Sequence, residues 1–232
     1  MLLCSICIRR GSKGVKNKNL KPFTNKKSLF DITLNHALKT NEISKIVIST
    51  DYKQIIQNKL FHRNKKIYLH NRNENLCDDN IAKIDVIRDA LVHAEKNFNC
   101  RFDYILDLDV TSPLRKIVDI NESIKLFKKK KNLNNLMTIC ESKKSPMYNM
   151  VRIVNSKIQL IDQNKFYNSR QKVPKMYDVN ASIYLWRRRA ILDKKLKIIN
   201  NKTGYYIMPR ERSIDIDDIL DFKMAKYLFH EK

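Results

Sequence analysis

The sequence predicts an α/β domain built around a largely parallel sheet, interrupted by a small inserted lobe. Three observations carry this. Short apolar or β-branched runs alternate with amphipathic stretches along most of the chain, as strand–helix–strand units require. Two of only three glycines, Gly11 and Gly14, fall in a basic loop directly after the first apolar run. Residues 141–180 break the alternation. At 232 residues and 43% hydrophobic content, the chain is long enough to bury one full core.

Strands are expected at residues 2–8 (LLCSICI), 45–50 (KIVIST), 65–70 (KKIYLH), 104–110 (YILDLDV) and 135–140 (NLMTIC), all short and apolar or β-branched. Helices are expected between them. One begins at Ser28, with Asp31 completing a capping box, and YKQIIQNKL at 52–60 reads as a second. A third runs from Ile81, with apolar residues at Ile81, Ile84, Ile87 and Leu91 forming one face. Two more cover Ile117–Lys129 and Ile219–Phe229. Within 141–180, SPMYNMVRIVNSKIQLID reads as a hairpin followed by the irregular NSRQKVPKMYD. The division is therefore an α/β domain of 1–140 and 181–232 with a lobe at 141–180.

Forty-seven basic against twenty-four acidic residues give a formal charge of +23, which raises nucleic-acid binding as a function class. The excess is dispersed as Lys beside Asn (NKNLK, TNKK, RNKK, KKKKNLNN), and the aromatics fall at core-like positions, so a specific nucleic-acid surface is not expected. Such a field would still attract small anions. Five scattered cysteines, an odd number, argue against a disulfide framework. Cys4 and Cys7 form C-x-x-C, but their odd separation on a strand points them to opposite faces, so they cannot share a metal. No apolar run reaches membrane-span length, and the charges Arg9 and Arg10 follow the opening apolar stretch where a signal peptide carries charge before it. The expectation is a cytoplasmic protein without a membrane role.

Three segments carry chemistry. Arg9-Arg10-Gly11-Ser12-Lys13-Gly14 spends scarce glycines beside Arg9, Lys13, Lys16 and Lys18, which suits backbone amides and cations to phosphate oxygens. It is neither a Walker loop nor G-x-G-x-x-G, and a plain tight turn is the bland alternative. In Ser213-Ile214-Asp215-Ile216-Asp217-Asp218, extended geometry turns Asp215 and Asp217 to one face, a hard oxygen pair for Mg²⁺ or Mn²⁺; the alternative is that an acid merely caps the last helix, which needs only one. Leu106-Asp107-Leu108-Asp109-Val110-Thr111-Ser112-Pro113-Leu114-Arg115 lies at the C-terminal end of a strand, where open α/β sheets bind ligands, or its T-S-P makes a simple turn.

In this order and spacing, Arg9–Asn19, Thr111–Arg115, Asn180–Tyr184 and Ile216 to Phe222 resemble the motifs of the acylneuraminate cytidylyltransferase family. The stretches ICIRRGSKGVKNKN, LDVTSPLR, YDVNASIY and Arg170–Asp178 are most similar to members making CMP-legionaminic acid. The resemblance implies a Rossmann-like nucleotidyltransferase three-layer sandwich, mostly parallel, with a β-hairpin dimerisation lobe. It implies a homodimer that joins CMP from CTP to the anomeric hydroxyl of a nine-carbon 2-keto acid sugar, legionaminic or sialic, and releases pyrophosphate. Pseudaminic acid or an eight-carbon keto acid is the neighbouring alternative.

Carried over residue by residue, Arg9, Gly11, Ser12, Lys13, Gly14, Lys18, Asn19, Arg72 and Lys83 would hold the nucleotide. Asp215 and Asp217 would hold the metal, and Arg9, Lys13 and Asp217 would serve the chemistry. Asp109, Thr111, Asn180 and Tyr184 would meet the sugar, joined by Arg170 reaching across from a second subunit. Three positions depart from the family pattern. Ile8 replaces a small residue, Lys26 stands where a turn glycine is usual, and Asp109 replaces a sugar-binding glutamine, exchanging an amide for an anion that cannot donate hydrogen bonds.

Overall fold

The computed structural model describes residues 1–11, 13–24, 26–164 and 167–231. In chain order its elements begin with β1 (Leu2–Cys7), β2 (Pro22–Thr24), β3 (Lys27–Ser28), α1 (Leu29–Lys39), β4 (Lys45–Thr50), α2 (Lys53–Ile56), α3 (Lys59–Arg63) and β5 (Ile67–Asn71). They continue with α4 (Lys83–Phe98), β6 (Tyr104–Leu108), α5 (Ile117–Lys129), β7 (Asn135–Glu141), β8 (Val151–Val154) and β9 (Lys157–Leu160). The last are β10 (Tyr177–Arg187), α6 (Arg188–Leu192), β11 (Thr203–Ile207) and α7 (Ile219–His230). Seven strands form one sheet in the order β11-β7-β10-β6-β1-β4-β5, parallel except for β10, which runs against both neighbours.

The sheet is the middle of three layers. Leu2, Cys4, Ile6 and Ile8 pack on one face with residues of α1, α5 and α7, whereas Leu3 joins α4 and Trp186 on the other. Strands covered on both faces become near-continuous apolar runs, which is why β1 is apolar save for Ser5, whose hydroxyl is hydrogen-bonded inside. Cys4 and Cys7 do face opposite layers, and all five cysteines are free.

Local signals set most boundaries. Ser28 caps α1: its Oγ accepts from Asp31 N at 3.2 Å while Asp31 Oδ2 accepts from Ser28 N at 2.8 Å, a device that contributes about 1 kcal/mol. The single helix expected at 52–60 is two, because Asn58 accepts from Leu60 N at 2.9 Å and starts α3 afresh. The helix expected from Ile81 begins at Lys83, after an extended Ala82. Lys26, at the position of the missing turn glycine, adopts φ +64° between β2 and β3.

β10 and β11 extend the sheet beyond the five strands read from the sequence. β10 is exposed at 177–179, mostly buried from Asn180 onward and bulged between Val179 and Tyr184, with Ala181 at φ +51°, so it carries no clean alternation. It leaves the 141–180 region and runs into the sheet centre, so the strand itself crosses residue 180. β8 and β9 form a separate hairpin turned by Asn155 and Ser156, both at positive φ as a two-residue turn of matching twist requires. Its Ile153 and Ile158, paired directly, are 77% and 74% exposed. Among the described residues no helix is long and apolar enough to cross a membrane.

Candidate active site

The basic loop, the strand end after β6 and the approach to α7 converge above the C-terminal ends of β1 and β6. A cleft of about 340 Å³ lies between Arg9, Lys13 and Lys18 on one side and Asp109, Thr111 and Asp217 on the other. Each wall is fixed by a local device. Gly11 takes φ +81°, open to glycine at little cost. Gly14 passes so close to the acidic segment that a Cβ there would lie 1.8 Å from the Asp217 carbonyl oxygen. Asn19 Nδ2 donates to Arg9 O at 3.2 Å, closing the loop on itself. Ser12 lies outside the described residues.

The acids divide their work. Asp218 is the cap of α7, accepting from Leu220 N at 2.7 Å and Asp221 N at 2.9 Å. Asp215 and Asp217 are thus left over from capping. Ile216 between them is buried, and its N–H donates to Thr111 O at 3.0 Å; Asp217 faces solvent, while Asp215 is half-buried. Lys18 donates to Ile216 O, with its Nζ 3.9 Å from an Asp217 carboxylate oxygen. Asp215 Oδ1 is buried without a hydrogen-bond partner. Burial, then the carboxylates of Asp109 and Asp217, push the Asp215 carboxyl up to about 6. A buried, under-satisfied oxygen beside a second anion is a donor set that fits a hard divalent cation.

The cations of the loop already meet an anion. Asp79 forms ion pairs with Arg9 and, at 2.6 Å, with Lys13, marking a place where a phosphate oxygen would find two positive groups. Asp79 carries no sequence signal, being one acid in an exposed loop. Arg72 is buried, its Nη2 donating to Ser49 O at 2.8 Å and its Nε to Ser49 Oγ at 3.2 Å. Its guanidinium is fixed at the end of β4 rather than on the cleft wall.

Lys83, at the start of α4, pairs with Asp107 at 2.8 Å and with Asp109. Burial works against its charge, but the two carboxylates more than offset this and hold the ammonium above its ordinary value. Burial likewise opposes the Asp109 anion, and Lys83 overrides it, so Asp109 stays charged below the usual carboxylate range. Asp109 Oδ1 also accepts from Thr111 N at 3.2 Å and Thr111 Oγ at 3.0 Å. Tyr184 lies 5.3 Å beneath Lys83 Nζ and stacks on Trp186. Asp107, fully buried and bound by Ser5 Oγ at 2.7 Å, lies within the third segment but has no role in the sequence reading; its spacing of two from Asp109 is the available signal.

Two expected sugar contacts lie elsewhere. Asn180 is buried, accepting from Thr138 Oγ at 2.6 Å and donating to Ser213 Oγ at 2.9 Å. Arg170 lines a separate cavity of about 290 Å³ in the lobe, with Glu141, Tyr148 and Lys175. Arg115 of the T-S-P-L-R run is an internal brace: it donates to Ser182 O at 2.9 Å and Thr33 Oγ at 2.8 Å, joining β10 to α1. Away from the cleft, His70, Asp89 and His93 place ligand atoms within 4.8 Å of one another, but the imidazoles stack at 4.3 Å and 24°, so one ion cannot lie in both ring planes. Their role is to tie β5 to α4 through the 2.6 Å His70–Asp89 bond.

Comparisons with known proteins bear on the family and the fold. The chain is 36% identical over 231 residues to post-translational flagellin modification protein B of Campylobacter coli, spanning 100% of this chain and 96% of that protein. It is 36% identical, with the same coverage, to a CMP-N,N'-diacetyllegionaminic acid synthase of Campylobacter jejuni. A solved CMP:2-keto-3-deoxy-manno-octonic acid synthetase complexed with CTP shares the fold at TM-score 0.69 and 14% identity, covering 99% of this chain and 98% of that one. The family described as cytidylyltransferase matches residues 4–232, and to that family this chain belongs.

Proposed function

We propose that the protein transfers CMP from CTP to the anomeric hydroxyl of a nine-carbon 2-keto acid sugar of the legionaminic or sialic type, releasing pyrophosphate in the cytoplasm. The observation that carries this is the close seating of the phosphate loop on the acid pair, with Gly14 against Asp217 and Lys18 bound to Ile216 O. That contact puts cations and hard oxygens on one short path, as a nucleotide triphosphate with its metal requires. The similarity to a legionaminic acid enzyme over the whole chain supports the choice of sugar.

In the proposed reaction the anomeric oxygen attacks the α-phosphorus of CTP, the new C–O–P bond forms, and the bond to the β-phosphate oxygen breaks in line. Arg9 and Lys13 exchange the Asp79 carboxylate for phosphate oxygens and stabilise the leaving pyrophosphate. A divalent cation, held by Asp215 and Asp217, would supply further charge neutralisation. Asp217, 83% exposed at the mouth, can hold that ion or take the anomeric proton. Asp109, kept anionic by Lys83, leaves the sugar pocket with an acceptor and an ammonium in place of an amide. The exposed Ile153–Ile158 pair favours docking of a second copy through the lobe, with Arg170 meeting the partner's sugar carboxylate.

The test is pyrophosphate release from CTP and a divalent cation with a panel of nonulosonic acids. Turnover should require all three components and prefer nine-carbon acids of legionaminic or sialic configuration. Equal rates with pseudaminic acid or eight-carbon acids would overturn the substrate assignment while leaving the transferase intact.

A further inference from the structure

We infer that Asn180 and Arg212 are positioning residues that hold the Asp215–Asp217 segment in metal-binding geometry, Asn180 through its bond to Ser213 and Arg212 through its bond to Asp119. The inference rests on the assignment of these two acids to the metal. Residues 213–217 belong to no helix or strand, so neither a sheet ladder nor a helix fixes their backbone. Two isolated backbone bonds, Ile216 N to Thr111 O and Ser213 N to Arg210 O, and a set of side chains do so.

The downstream end is held by the α7 cap at Asp218 and by the Ile216 N–H on Thr111. The upstream end is held by two partly buried links. In the first, Arg212 Nη2 donates at 2.8 Å to Asp119 Oδ1, fully buried at the start of α5. A buried ion pair contributes little net stability compared with apolar packing, but its geometry is exacting, which suits a positional role. Arg212 Nε has no partner, so this guanidinium is not arranged for maximum hydrogen bonding. In the second, Asn180 Nδ2 donates to Ser213 Oγ at 2.9 Å, and Ser213 Oγ donates to Pro209 O at 2.9 Å. Thr138 Oγ fixes the other end of the amide at 2.6 Å.

Asn180 is 4% exposed, and both its amide oxygen and its amide nitrogen are engaged inside the protein. It therefore offers no free group to a sugar, in contrast to the role implied by the resemblance. Its influence on the reaction passes through Ser213, two residues before Asp215.

The experiment is a Mn²⁺ titration of the full chain with CTP present, free Mn²⁺ being read by electron paramagnetic resonance. Asn180→Ala and Ser213→Ala should each weaken Mn²⁺ binding about 10-fold, as loss of a bond orienting a ligand segment does. The double variant should be no worse than either single one, because both break the same link. KM for the sugar at saturating metal should stay unchanged. Arg212→Lys, which keeps charge but loses the guanidinium geometry, should also weaken Mn²⁺. Asp215→Asn separates the two levels of the argument: if it leaves Mn²⁺ affinity intact, the metal assignment itself fails. If it abolishes binding while Asn180→Ala and Ser213→Ala retain wild-type affinity, the positioning role alone is overturned. A raised sugar KM with unchanged Mn²⁺ affinity would return Asn180 to the sugar site. Should Asn180→Ala fail to fold, Ser213→Ala and Arg212→Lys decide the matter.

Discussion

Asp215→Asn should make the metal-free protein more stable at neutral pH while destroying its activity. The Asp215 carboxyl is pushed from 3.8 to about 6 by burial and by the neighbouring acids, so the folded chain holds this proton more tightly than the unfolded one. Stability linked to such a group is full below about pH 4, is lost as pH rises through about 6, and stays lost above it. The difference between 3.8 and about 6 corresponds to about 3 kcal/mol at most. Solvent at the exposed Asp217 and the nearby Lys18 screen part of it, leaving about 1–2 kcal/mol. Asparagine keeps the shape and removes the charge. Urea unfolding in a chelating buffer should show the variant more stable than wild type by about that amount at pH 7.5, with the difference vanishing near pH 4. Added Mg²⁺ with CTP should then stabilise wild type preferentially, and turnover of the variant should fall by at least ~100-fold. A variant no more stable than wild type at pH 7.5, or a difference independent of pH, would refute the view of Asp215 as an anion held under strain for a cation.

Gly14→Ala should cut turnover at least ~10-fold, since its Cβ would collide with the Asp217 carbonyl and part the loop from the acids; steady-state kinetics returning a wild-type rate would contradict that contact. Lys26→Gly should stabilise the fold by about 1 kcal/mol, by relieving a left-handed lysine, and raise Tm by a few degrees without altering kcat. Lys83→Met leaves Asp107 buried without its cation and should cost about 3–5 kcal/mol in chemical denaturation, a loss that Lys83→Arg should partly recover. Arg170→Ala should raise the KM for sugar far more than that for CTP. Mixed with Asp215→Asn after subunit exchange, it should regain up to about a quarter of wild-type activity if two subunits share each site, and no recovery would place Arg170 in its own subunit's site.

The seating of loop on acids also explains a cost built into this site. Lys13 and Arg9 share the single carboxylate of Asp79, and Lys83 meets two, Asp107 and Asp109, so each of these cations is paired while Arg9 and Lys13 together keep a positive charge for an incoming anion. The net charge of +23 therefore says little about the cleft; the pairing there is between specific neighbours at hydrogen-bond distance. Asp107, fully buried, would be costly without Lys83, whereas Arg9, Lys13 and Asp79 are accessible to solvent and can exchange partners at little cost.

By itself the sequence determined the fold class and the starts of α1, α5 and α7, because these depend on interactions local in the chain. A capping box is written in four residues, so Ser28 and Asp31 announce α1. Two glycines within four positions announce the loop, and alternation puts Asp215 and Asp217 on one side of Ile216. The tertiary structure alone decided what those groups meet. That β10 inserts antiparallel between β6 and β7, that Asp79 lies on Arg9 and Lys13, that Asn180 is spent on Ser213, and that Asp119 anchors Arg212 across 93 residues all follow from packing between distant segments. A side chain's spacing along the chain fixes which face it takes, but its partner is chosen by whichever distant element the closed core brings to hydrogen-bond distance, and no local pattern encodes that choice.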